Sequence, residues 1–266
     1  MGEATAALAL PAAAEFIAPA GWSRIDFISD LHLAPGRPRT FDAWAAWLGA
    51  TPADAVFILG DLFDAWVGDD ARHEGFEARC TAVLADAARR RPLAFMVGNR
   101  DFLAGRDWLG ACGMSALADP TLLVAFGQRV LLTHGDALCL ADGEYQRYRA
   151  QVRSPAWQAM VLALPLAERR RRAAQMRHAS EQYQAGAALA PAATDIDFGT
   201  AAAWMDAARA SLLIHGHTHK PASAAFAPGR TRHVLSDWDC DSAATARAEV
   251  LSLTQRGVER LPVPGP

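Results

Sequence analysis

Five apolar runs in this chain each stop at a cluster of Asp, Asn or His, and no other feature limits the fold so tightly. Arg24–Ser29 runs into Asp30-Leu31-His32, and Ala55–Leu59 into Gly60-Asp61. Leu93–Val97 runs into Gly98-Asn99-Arg100-Asp101, and Arg129–Thr133 into His134-Gly135-Asp136. The last, Ser211–Ile214, runs into His215-Gly216-His217-Thr218-His219. Short apolar runs bounded by turn residues read as buried strands. Between the early ones, Phe41–Leu48 and Ala71–Arg91 read as helices, and strand–loop–helix–strand order predicts an α/β fold. Further strands are expected near Ala222–Ala227 and through Thr231–Leu235, Ala246–Leu253 and Val258–Leu261.

With 266 residues, 52% of them hydrophobic, the chain is long enough for one large domain carrying an insertion. The pattern changes after Asp142. From Gln146 to Arg177 eight arginines (147, 149, 153, 169, 170, 171, 172 and 177) stand against the single acid Glu168, a formal +7. Apolar residues are grouped beside them, and Pro155 and Pro165 divide the stretch into helices. We therefore expect a core over 22–141 and 206–266, a helical insertion over 142–205, and a disordered or loosely packed extension over 1–21. That extension has no basic start, and Glu15 breaks its apolar character, unlike a signal peptide. The 26 basic and 29 acidic residues give −3, no field for nucleic acid. Cys80, Cys112, Cys139 and Cys240 have no paired spacing and read as small buried hydrophobes. No apolar run is long enough to span a bilayer. The expected compartment is the cytoplasm, and the expected state a monomer.

Polar residues delivered at the carboxyl ends of strands mark the usual site of an open α/β sheet. Asp30/His32 and His217/His219 are i, i+2 pairs, which an extended loop projects to one side. A lone Asp-x-His or Gly-Asp is an ordinary turn or helix cap, but five such ends in one chain are not explained as turns. Carboxylate, amide oxygen and imidazole together suit Mn²⁺, Fe²⁺ or Zn²⁺ rather than an all-oxygen cage. Two such ions sharing a carboxylate activate water at neutral pH and clamp a phosphoryl group.

Taken together, Asp30-x-His32, Gly60-Asp61, Gly98-Asn99, His134 and Gly216-His217-x-His219 resemble the calcineurin-like metallophosphoesterase superfamily. The resemblance implies a β-sandwich core flanked by helices. It implies that Asp30, His32 and His219 hold a first metal, that Asn99, His134 and His217 hold a second, and that Asp61 bridges them. His215 is left outside this set, in a supporting or structural place. Asp101 and Asp136 are expected to orient the ligands beside them, and Trp44, Trp47, Trp66 and Trp108 to serve as core or cleft walls. Many members carry histidine after the motif asparagine, where it assists the leaving group; this chain has Arg100. An arginine neutralises phosphate charge but is no general acid near neutral pH. A leaving group that departs without protonation, such as a phosphate within a pyrophosphate, fits it best.

A narrower resemblance rests on SDLHL (29–33), GDLFDAWVGDD (60–70), GNRDFL (98–103), HGDALCLADGEYQRYR (134–149), LALP (162–165), MRHAS (176–180) and IHGHTHKP (214–221). These resemble the UDP-2,3-diacylglucosamine hydrolase family of lipid A biosynthesis. That implies a substrate, UDP-2,3-diacylglucosamine, cleaved at its pyrophosphate to UMP and lipid X by attack at the α-phosphorus, usually with Mn²⁺. It also implies peripheral placement on the cytoplasmic face of the bacterial inner membrane. Arg100 is the expected catalytic side chain, and Asn99, Arg100, Asp142, Ser180, Gln184 and His217 the expected substrate contacts. The family's asparagine and lysine four and seven residues past the serine are here Gln184 and Ala187, so the pattern departs there. We expect the insertion to cap the substrate, with its arginine face surrounding phosphates and resting on anionic lipid. The residues alone leave open a metallophosphoesterase for soluble nucleotides, and a binding module that has lost its metals.

Overall fold

The computed structural model describes residues 8–186, 195–242, 244 and 246–263, with backbone alone for 178–186. Two six-stranded mixed sheets face each other. One has the spatial order β1 (Ala14–Ile17), β6 (Thr121–Ala125), β7 (Gln128–Thr133), β8 (Leu212–His215), β10 (Arg230–Val234), β9 (Ala222–Ala227). The other runs β12 (Gly257–Pro262), β11 (Glu249–Thr254), β2 (Arg24–Ile28), β3 (Ala55–Leu59), β4 (Leu93–Met96), β5 (Ser115–Leu117).

Period-two alternation splits each central strand between two cores. Ile25, Phe27, Phe57 and Leu59 point between the sheets, where they meet Leu123, Val130, Leu132 and Ile214. Their neighbours Ile28, Val56, Ile58 and Phe95 point outward, under α1 (Pro38–Ala50), α2 (Gly75–Ala88) and α3 (Arg106–Cys112). Burial on both faces is why β3 and β4, paired in parallel with each other and with β2, read as unbroken apolar runs, while in β2 the run is interrupted by Asp26, buried and paired with Arg24. Behind the other sheet, Trp204 and Met205 of α7 (Phe198–Ala208) pack on Leu131 and Leu213.

Between β7 and α7 lie α4 (Gly143–Val152), α5 (Pro155–Leu162) and α6 (Leu166–Gly186). Asp142 caps α4 by accepting the Tyr145 amide at 2.9 Å. Pro155 occupies the first turn of α5, where its missing N–H costs nothing. Among the described residues no helix is long and apolar enough to cross a membrane.

Two boundaries differ from expectation. Residues 14–17, assigned to a loose extension, form an edge strand parallel to β6, with Phe16 edge-on to Phe57 at 5.1 Å. One flanking partner suffices for so short a strand, and Ala-Glu-Phe-Ile carries no apolar run to announce it. Helix α7 straddles the expected junction at 205, yet its buried face packs with Leu122, Leu131 and Leu213 of the core sheet.

Candidate metal centre

The parallel strands bring all five motif loops to one edge of the sandwich. Asp30 and His32 follow β2, Asp61 follows β3, Asn99 follows β4, His134 follows β7, and His217 and His219 follow β8. The His32 and His219 Nε2 atoms lie 3.1 Å apart, and His219 Nε2 is 3.4 Å from Asp30 Oδ1. Asn99 Oδ1 sits 2.9 Å from His134 Nε2 and 2.8 Å from His217 Nδ1. His134 Nε2 is 3.7 Å from Asp61 Oδ1. Asp30 joins both clusters of potential donors, one with His32 and His219, the other with Asp61 and His134.

These spacings fit divalent ions. Donors about 2.1 Å from a common metal stand about 3.0 Å apart at octahedral corners and about 3.4 Å apart at tetrahedral ones. The backbone is strained to match. Among the described residues seven non-glycine residues have positive φ, and five of them are Asp30, His32, Asp61, His217 and His219, at 48° to 68°. Such conformations persist only where the surroundings fix them, and they gather at functional sites. Glycine is required within these loops: a Cβ on Gly98 would collide with the Asp61 carboxylate, one on Gly216 with Asp30 and Ser29, and one on Gly60 with the Gly98 backbone.

Charge is as concentrated as the geometry. Burial pulls the His134 imidazole down, but Asp61, Asp136 and Asp30 outweigh it and raise the group to about 9. Burial pushes the Asp61 carboxyl upward, against the pull of His134. Burial and the Arg232 charge push His215 down to about 3, so this ring is neutral. Asp101 fastens two loops together, accepting the Gly98 amide at 2.7 Å and the Leu62 amide at 2.8 Å. Asp136 does something else. Rather than holding His134, its carboxylate collects Tyr145 Oη (2.9 Å), Arg149 Nε (2.8 Å) and Arg153 (3.2 Å), all from α4 and its C-terminal residue.

A cleft of about 1580 Å³ opens over the donors. His32, Asp61, Asn99, Arg100, His217 and His219 line it, and so do Trp66, Phe102, Trp157, Met160, Val161 and Met176. Asp142 reaches the cleft while its carboxylate caps α4. Ser180 and Gln184 lie outside the residues whose side chains are described. The arginine run is not a free cationic face. Arg149 and Arg153 pair with Asp136, Arg169 with Asp70, Arg170 with Glu74 and Glu77, Arg171 and Arg172 with Glu168, and Arg177 with Asp64. Asp64 and Asp70 lie in the GDLFDAWVGDD segment, and Glu74 and Glu77 at the start of α2, all far away in sequence. Arg100, by contrast, lines the cleft with no carboxylate partner among the described residues.

Sandwich and donor cluster together define a metal-dependent phosphoesterase, and the chain belongs to the calcineurin-like phosphoesterases, whose family model matches residues 23–221. It is 43% identical over 246 residues to the UDP-2,3-diacylglucosamine hydrolase of Chromobacterium violaceum, covering 90% of this chain and 98% of that relative. The enzyme of that name from Stenotrophomonas maltophilia is 42% identical over 222 residues (80% of this chain, 90% of the relative). That from Bordetella parapertussis is 39% identical over 238 residues (87% and 92%). Within the calcineurin-like group, the chain falls in this hydrolase family.

Proposed function

We propose that this chain hydrolyses the pyrophosphate bond of UDP-2,3-diacylglucosamine, giving UMP and 2,3-diacylglucosamine 1-phosphate for lipid A synthesis. The observation that carries the reading is a single cleft lined both by oxygen and nitrogen donors and by aromatic and aliphatic side chains. An acylated sugar nucleotide combines the same two chemistries.

In this reading Asp30, His32 and His219 hold one cation, Asn99, His134 and His217 the other, and Asp61 serves both. Two divalent cations, manganese by preference, lower the pKa of water and neutralise phosphoryl oxygens when bound. Arg100 supplies a fixed positive charge where negative charge gathers on the α-phosphate during in-line displacement. The leaving sugar 1-phosphate is stable as an anion, so the absence of a protonating histidine at position 100 is no handicap. Asp142, Ser180 and Gln184 are the expected polar contacts from the helical insertion. The apolar lining receives the acyl chains. Met160, Leu162 and Met176, exposed by 56%, 43% and 39%, lie on the same helices and form the contact with the cytoplasmic face of the inner membrane.

Hydrolysis in ¹⁸O-water with Mn²⁺ tests this. Label in UMP is expected, from attack at the α-phosphorus. Label in the sugar phosphate would overturn the geometry, and cleavage of soluble nucleotides alone would overturn the substrate.

A further inference from the structure

His217 is held in an uncommon turn. The Thr218 amide donates to the Gly216 carbonyl at 2.8 Å, and the residue enclosed between them, His217, has a φ of 68°. An i to i+2 closure around a positive φ is the rare and strained form of γ-turn. Something outside the turn must hold it.

The Gly216 carbonyl has a second partner, His215 Nδ1, at 2.8 Å. The direction of that bond is fixed from the opposite side of the ring. Arg232 Nε lies 2.8 Å from His215 Nε2, and a guanidinium only donates, so Nε2 accepts and the proton resides on Nδ1. Arg232 is itself 8% exposed, lies 5.2 Å from the Phe198 ring, and turns its remaining nitrogens to Asp195, one at 3.2 Å. Gly135 lies against the ring, where a Cβ would come within 2.9 Å of Nδ1. The Gly216 amide in turn donates to the carbonyl of His134 at 2.9 Å, so the turn is tied to another metal-site histidine.

We propose that His215 is a positioning residue: with Arg232 and Asp195 behind it, it locks the Gly216–Thr218 turn and so aims His217 Nδ1 at the site shared with Asn99 and His134. This assigns a task to the first histidine of His-Gly-His-Thr-His, which belongs to neither donor cluster. Asp195 precedes α7, where the chain returns from the helical insertion, so the relay starts outside the metal loops. The inference rests on the reading of His217 as a metal ligand.

Asparagine places its amide near the Nδ1 position of histidine, and glutamine near Nε2. The variants His215→Asn, His215→Gln and Arg232→Met therefore separate the two ends of the ring in the full-length protein. Mn²⁺ binding is read by titration calorimetry and by the electron paramagnetic resonance of free Mn²⁺, alongside thermal melting. The wild-type chain is expected to bind two Mn²⁺, and H215N to stay within a few-fold of it. H215Q and R232M are expected to lose one ion by 10- to 100-fold in affinity, the range seen when a ligand's supporting partner is removed. Their kcat should fall with KM nearly unchanged. If H215Q does not fold, R232M decides alone. Wild-type affinity for both ions in folded R232M overturns the inference, as does equal damage in H215N and H215Q, which would mean packing alone. A wild-type chain that binds no Mn²⁺ overturns the metal reading and this inference with it; failure in the variants alone leaves the metal reading standing.

Discussion

Arg153, the residue that closes α4, donates to the Gly98 carbonyl at 3.1 Å and to the Asp136 carboxylate at 3.2 Å. Gly98 precedes Asn99, so the end of a helix in the insertion braces a loop of the metal centre. Asp136 tolerates complete burial because Arg153, His134 and Arg149 overcome its desolvation and hold its carboxyl far below the usual range. Arg153→Met should leave a folded protein, since Arg149 still serves Asp136, at about 1–3 kcal/mol for the unmade bonds. It should lower kcat on the lipid substrate at least about tenfold if loop position governs the chemistry, because about 1.4 kcal/mol of lost transition-state stabilisation has that effect. Steady-state kinetics beside a melting curve check it; unchanged kcat would mean that the brace does not matter.

Arg169 anchors α6 in the same manner. It is 5% exposed and donates to the Val67 carbonyl, to Asp70 at 2.8 Å and to the Leu164 carbonyl at 2.9 Å. Gly68, at φ 127°, leaves the space its guanidinium fills. Arg169→Met and Gly68→Ala should each speed amide exchange over α6 and raise KM for the acylated substrate. Hydrolysis of a small soluble phosphodiester should change little. The hydrogen bond from Arg169 is the main reason Asp70 titrates below its ordinary value. A depressed carboxylate stabilises the folded state above its unfolded pKa, about 3.9, and loses that contribution as pH falls through the folded value. Protection of α6 should thus decline on acidification below about pH 4, and Asp70→Asn should remove that step. Because Asp70 is half-exposed, solvent screens the effect and keeps it small. A pH-independent α6 would count against the latch.

The metal loops were legible in the sequence because their signals are local: an apolar run, then a donor, at the end of one strand. What the sequence concealed depends on distant partners. Arg169, Arg170 and Arg177 read as a cationic face until the fold sets Asp70, Glu74 and Asp64 against them. Strand β6 escaped notice for a different reason. It pairs with β7 through the turn Phe126-Gly127, where Phe126 has a φ of 54°. Asn, Asp or Gly before the glycine is the usual sign of such a hairpin, and phenylalanine in that place breaks it. β5 is only three residues long and β1 has one neighbour, so neither carries a pattern of its own.

Asn99 Oδ1 is the one amide oxygen among the expected ligands, lying between His134 Nε2 and His217 Nδ1. Asn99→Ala and His134→Ala should each cost at least about 2.7–4 kcal/mol in the barrier, a loss of about 10²- to 10³-fold in kcat, by analogy with removing a single charge-stabilising donor. Both should bind fewer Mn²⁺ and keep a cooperative melt. Near-wild-type turnover in either would end the assignment.

Arg100 differs from the other cleft arginines in lacking a carboxylate partner among the described residues; its amide donates to Asp61 Oδ1 at 2.8 Å, fixing where the side chain begins. Arg100→Met should reduce kcat by about 10²-fold without altering Mn²⁺ stoichiometry. Arg100→Lys should recover part of the loss, because the charge remains although the planar fork does not. Equal kinetics in the two variants would show that charge at this position is irrelevant.

Membrane contact offers a test of how the insertion uses its surface. Seven of its eight arginines between 146 and 177 are held in ion pairs, while Met160 and Leu162 stand exposed beside the cleft. An electrostatic attachment would weaken sharply with salt, since exposed charges are screened within about 8 Å at physiological ionic strength. Attachment through apolar side chains would not. Flotation with vesicles of phosphatidylglycerol and phosphatidylethanolamine should therefore vary little as salt is raised. It should fall when Met160 and Leu162 are both replaced by serine. Each buried apolar side chain contributes about 1.5–3 kcal/mol at most, and partial insertion less, so the double variant is needed for a clear loss. Release by salt, with the double variant still bound, would return the arginines to the role that their clustering in the sequence suggests.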